Sequence, residues 1–92
     1  MNCKPGDLAC IVRVVTGDPV VEAQLRPLLI GRFVRVVQLV SAETWELEEP
    51  ISVSIRIGSV HAQFTLIGLE DHALQAIRGV PVHYVQADEV AA

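Results

Sequence analysis

The sequence predicts a small all-β barrel of about five or six antiparallel strands, with one or two short helical turns. Three observations carry this. Lys4-Pro5-Gly6-Asp7 is a tight turn that runs straight into the apolar stretch Leu8-Ala9-Cys10-Ile11-Val12. About twenty residues later Gly31-Arg32-Phe33-Val34-Arg35-Val36-Val37 again puts a turn glycine before a β-rich run. Further on, two alternating runs flank Gly58-Ser59, which is a strong hairpin pattern.

Each element follows in order. Asp7 to Val15 reads as the first strand, with Leu8, Cys10, Val12 and Val14 on one face and Ala9, Ile11, Arg13 and Val15 on the other. Its weak alternation predicts a strand covered on both sides or seated in a dimer contact. Thr16-Gly17-Asp18-Pro19 is a loop, because Gly allows positive φ and Pro cannot pair in a ladder. Val20 to Ile30 carries Val21, Leu25, Leu28 and Leu29 at near-helical spacing but is interrupted by Pro27. It reads as a short helical turn or an ordered loop on the barrel mouth.

Gly31 opens the second strand, Arg32 to Val40. The third, Thr44 to Glu48, places Trp45 and Leu47 on one face and Glu46 and Glu48 on the other, and Glu48-Glu49-Pro50 is expected to close it. The fourth strand, Ile51 to Ile57, turns inward Ile51, Val53, Ile55 and Ile57. The fifth, Val60 to Leu66, turns inward Val60, Ala62, Phe64 and Leu66. Between Leu69 and Arg78 a short helix or a single 3₁₀ turn is expected, capped by Asp71 and ended by Gly79. Val80 to Val85 offers a last edge strand despite Pro81. Residues 1–5 and 87–92 are expected to fray around a single domain spanning residues 1–92.

Composition bounds the function classes. Apolar residues make up 51 % of the 92 residues and aromatics only 4 %, so the core must be Val, Ile and Leu. That apolar share on so small a body favours self-association as a homodimer. The formal charge is −4, with one Lys among seven basic residues, which disfavours generic phosphate-backbone binding. No stretch is apolar for long enough to span a membrane. No leader-like apolar run is visible, so Cys3 and Cys10 read as reduced thiols in a cytoplasmic setting.

Candidate chemistry is sparse. His61, His72 and His83 recur every eleven residues without the close-spaced ligand pair that zinc sites use, so no metal or cofactor is expected. Cys10 reads as a small core residue and Cys3 as part of a mobile terminus, neither with a base to activate it. Asp71-His72 reads as a helix cap beside a solvent histidine. No phosphate-cradling glycine loop is present. These absences point away from an enzyme. Glu43, Glu46, Glu48 and Glu49 form the densest charge. Together with Trp45 and Arg26, Glu46 and Glu48 are the candidate residues for contact with a protein partner. Arg32 and Arg35, in the basic strand after Gly31, are the candidates for nucleic-acid contact.

The opening Lys4-Pro5-Gly6-Asp7-Leu8-Ala9, the Gly31-led basic-apolar strand and the Trp45-Glu46-Leu47-Glu48 strand resemble short SH3-like β-barrel proteins common in phages and prophages of proteobacteria. The likeness runs from about Lys4 to Arg78, with Asp71-His72-Ala73-Leu74-Gln75-Ala76-Ile77-Arg78 where such proteins finish. Gln75-Ala76 stands where Arg-Pro is expected. The segment around Gly31, with Arg32 and Arg35, is also similar to the KOW element of ribosomal and transcription-elongation barrels. The first resemblance implies a barrel that acts as a binding module and carries no catalytic residues over. The second implies contact with RNA or protein through the basic strand.

Overall fold

The computed structural model describes residues 1–77. They form five antiparallel strands, one α-helix and one 3₁₀ turn: β1 (Leu8–Ile11), α1 (Pro19–Leu29), β2 (Phe33–Leu39), β3 (Thr44–Ile57), β4 (Val60–Glu70), the 3₁₀ turn Asp71–Ala73, and β5 (Leu74–Ala76). The strand order is β4-β3-β2-β1-β5. The all-β class expected from sequence is therefore present. Among the described residues the sheet does not close, because β4 and β5 occupy its two edges. The strand expected at Val80 to Val85 lies outside the described residues.

β1 is shorter than the alternation suggested and stops at Ile11. It pairs with β2 on one side (Leu8 with Arg35, Cys10 with Phe33) and with β5 on the other (Cys10 with Gln75). Ala9 and Ile11 face the core completely buried, while Leu8 and Cys10 face outward. Beyond Ile11 the chain leaves the β2 ladder, although the Val12 N–H still donates to the Ala73 carbonyl at 2.9 Å.

The stretch expected as a short turn or loop from Val20 to Ile30 holds a full helix, α1, which ends at Leu29. Asp18 caps α1 by accepting from the Val20 N–H at 2.9 Å, and Pro19 occupies the first turn, where its missing N–H costs nothing. Pro27 comes late in the helix, and its absent N–H forfeits only the bond toward Ala23. The last turn closes through the Ile30 N–H to the Arg26 carbonyl. Leu25 and Leu29 are buried, with Val21 packed beside them one turn earlier. The Glu22 carboxylate accepts from the Thr16 N–H at 2.8 Å and the Gly17 N–H at 3.2 Å, which ties the preceding loop to the helix. Those two donors hold the Glu22 carboxyl below its ordinary value.

The third and fourth expected strands are one. Glu48-Glu49-Pro50 bends β3 without ending it, and the β3–β4 register slips between Glu46 and Ile51. Pro50 has no N–H to donate, so a bulge is where a strand accommodates it. The second half of β3 forms a hairpin with β4, from Ile51 opposite Leu66 to Ile57 opposite Val60. Gly58 at φ +64° supplies the left-handed first position of the two-residue turn. Gln24 of α1 secures this hairpin. Its side chain donates to the Arg56 carbonyl and accepts from the Arg56 N–H, both at 2.6 Å, as a neighbouring strand would. Gln24→Ala is expected to cost about 1–2 kcal/mol, read by urea unfolding.

The core is one cluster in which Ile11, Val34, Val36, Trp45, Leu47, Val53, Ile55 and Leu74 meet Leu25 and Leu29 of the helix. The N-terminus is part of it. Cys3, expected in a frayed end, is 3 % exposed, whereas Cys10 is only half-buried on the outer face of β1, and the two do not form a disulfide. Among the described residues no helix is long and apolar enough to cross a membrane.

Candidate partner-binding face

β2 and β3 pair only near Val36–Leu47 and Leu39–Trp45. Toward the start of β2 the two strands diverge, because β3 is bent at Glu48-Glu49-Pro50. The result is an open cleft of ≈350 Å³ lined by Arg32, Phe33, Arg35, Glu48, Glu49 and Ser52, among others. Three of the sequence-predicted residues, Arg32, Arg35 and Glu48, thus converge on one site. The Arg35 guanidinium donates to the Gly6 carbonyl at 2.7 Å, which fixes it at the rim. Among the described residues no ion pair joins these arginines to Glu48 or Glu49. Both signs of charge therefore line one groove without an ion pair across it among the described residues.

Phe33 is the residue the sequence reading missed. It projects from the outer face with 64 % of its surface exposed, on the same face as Leu8 and Val37, which are also exposed. The signal was available in principle. Strand periodicity places Phe33, Arg35 and Val37 on the face opposite the buried Val34 and Val36. An aromatic on the outward register of a sheet, flanked by arginine, is the composition that interface cores favour.

The remaining predicted residues are elsewhere. Trp45 is 2 % exposed at the centre of the core, so it offers no surface to a partner. Its indole N–H donates to the Asp71 carboxylate at 2.9 Å. Glu46 does lie opposite Trp45 on the outer side, where the Gln38 amide donates to it at 2.9 Å. Arg26 is on α1, 3.8 Å from Glu22, and does not line the cleft.

Asp71 is not a helix cap. It is a buried carboxylate that also accepts from the Asn2 N–H at 2.6 Å and the Cys3 N–H at 3.0 Å. Burial alone pushes its pKa up. The Asn2, Trp45 and Cys3 donors outweigh that and hold the carboxyl below its ordinary value. This group anchors the N-terminal residues to the sheet and is structural. His72 beside it is exposed and pairs with Glu70.

Comparison with protein-family models, curated proteins and solved structures finds no significant match for this chain.

Proposed function

We propose that this chain is a non-enzymatic interaction module that recognises a protein partner through the cleft between β2 and β3. The observation that carries this reading is Phe33, a large aromatic held out into solvent beside Arg32 and Arg35, opposite Glu48. Aromatic and arginine side chains supply most of the energy at interface hot spots. A rigid strand presents them here at little further cost in conformational entropy. The mixed charge of the groove suits a polypeptide better than a phosphate backbone, because Glu48 and Glu49 would repel phosphates. The resemblance of the sequence to short phage and prophage SH3-like barrels supports a role in a phage or prophage programme, and the absence of a disulfide between Cys3 and Cys10 suits the cytoplasm.

The test is an affinity pull-down from bacterial lysate with and without nuclease, read by mass spectrometry, repeated with Phe33→Ala and Arg32→Glu. We expect a protein that survives nuclease and whose retention falls at least about tenfold in either variant. Phe33→Ala should change folding stability by no more than about 0.5 kcal/mol, since the side chain is on the surface. Retention that vanishes with nuclease, and with Arg32→Glu and Arg35→Glu, would replace this reading by nucleic-acid binding through the same strand.

A further inference from the structure

The edge of β4, unpaired among the described residues, has a main-chain pattern that the hairpin itself reveals. Both main-chain polar groups of Arg56 are bonded to Gln24, so they point away from β4. In an antiparallel ladder this orientation alternates. Ile51, Val53, Ile55 and Ile57 therefore exchange bonds with Leu66, Phe64, Ala62 and Val60, their partners in register. The 3.5 Å approach of the Ser52 and Thr65 hydroxyls fits the closer pairs in between. It follows that His61, Gln63, Thr65 and, by continued alternation, Ile67 direct their N–H and C=O groups off the edge of the sheet. Among the described residues no other strand pairs with that edge.

This edge lacks the protections that natural sheets use. It is eleven residues long, with no Lys, no Pro and no Asp or Glu before Glu70. Residues 57 to 69 form the longest run in the chain without an Asp, Glu, Lys or Arg, in a protein of net charge −4. Two copies can therefore approach along this strip without like charges meeting, which is not true of the acidic bend of β3. Val60, Phe64 and Ile67 are exposed along it, Ile67 to 68 %.

We propose that two copies of this chain join through β4, antiparallel about a two-fold axis at Phe64, to form a continuous sheet. In that register His61 of one copy lies opposite Ile67 of the other and Gln63 opposite Thr65. Every outward-facing donor and acceptor from His61 to Ile67 is then satisfied. Phe64 meets its own symmetry mate at a close, non-hydrogen-bonded position, where cross-strand aromatic pairs are favourable. Ala62 meets Leu66 on the same face. The contact is isologous and consumes both β4 edges, so it stops at a dimer. It leaves the β2–β3 cleft free and stands whether or not that cleft binds a partner.

Light scattering after gel filtration at micromolar concentrations is expected to give twice the 10.0 kDa chain mass. Thr65→Pro removes an N–H that points at the other copy and none that points at β3, and edge positions tolerate proline. Ile67→Lys puts a charge on the strip without touching the main chain. Each is expected to raise the dissociation constant at least about tenfold while the far-ultraviolet spectrum is kept. In a Cys10→Ser background, Phe64→Cys should form a covalent dimer on mild oxidation, and His61→Cys should not. A monomer mass throughout would overturn the proposal. So would a dimer indifferent to Thr65→Pro and Ile67→Lys, or cross-linking at position 61 in preference to 64.

Discussion

Replacing Asp71 with alanine is expected to cost about 3–5 kcal/mol of folding free energy. One buried carboxylate accepts from the Asn2 N–H, the Cys3 N–H and the Trp45 indole, which come from the chain start and the beginning of β3. Truncation strands these donors in or beside the core, and each orphaned donor costs about 1–3 kcal/mol. Folding of a domain this size yields about 5–15 kcal/mol in total. Asp71→Asn keeps the shape and one acceptor but turns an amide N–H toward another donor, so a loss of about 1–3 kcal/mol is expected. Urea unfolding followed by Trp45 fluorescence measures both. A change under about 0.5 kcal/mol in either variant would mean that the carboxylate is not the anchor described.

The same group sets an acid limit. Its folded pKa is lowered, so its contribution is complete above the ordinary carboxylate range near ~3.9. Stability from this source is lost as pH falls below that range and through the lowered folded value. The wild-type urea midpoint should therefore decline on acidification below about pH 4, and Asp71→Asn should flatten that part of the curve. An unchanged slope in the variant would assign the acid sensitivity to other carboxylates.

The second large effect belongs to Trp45. Trp45→Ala removes the largest fully buried side chain and should cost about 3–5 kcal/mol through the cavity it leaves. Trp45→Phe keeps most of the apolar volume and loses only the indole donor, so about 1–2 kcal/mol is expected. In combination with Asp71→Asn its effect should fall short of additivity by at least about 0.5 kcal/mol, because the two share one bond. Full additivity would show that the 2.9 Å contact carries no stabilising energy.

Much of the fold was legible in the chain. Alternation from Ile51 to Leu66 around Gly58-Ser59 determined the hairpin and which side chains share a face, because strand side chains alternate strictly. The same rule put Trp45 and Leu47 opposite Glu46 and Glu48. Where local signals conflicted, the tertiary structure decided. Pro27 argued against a helix at Val20 to Ile30. Burial of Leu25 and Leu29, with Gln24 clasping Arg56, outweighs the single lost bond. Glu48-Glu49-Pro50 had the composition of a strand end, yet pairing with β4 on either side carries β3 through the bend.

The candidate site divides the same way. Residue types and strand register alone placed Arg35 and Glu48 on β-strands with charge to offer, while Arg32, expected to open β2, sits just before it. Their convergence depends on how far β2 and β3 splay, which is a property of the bent sheet. Trp45 was read as a contact residue because exposure cannot be told from the identity of one aromatic on an alternating strand. The Asp71 carboxylate that holds it is 26 residues away in sequence, beyond the reach of any local pattern. Sequence determined which faces are apolar, since that is fixed by periodicity. Only the tertiary structure decided which of those faces the core covers and which, at Phe33 and along β4, stay exposed among the described residues.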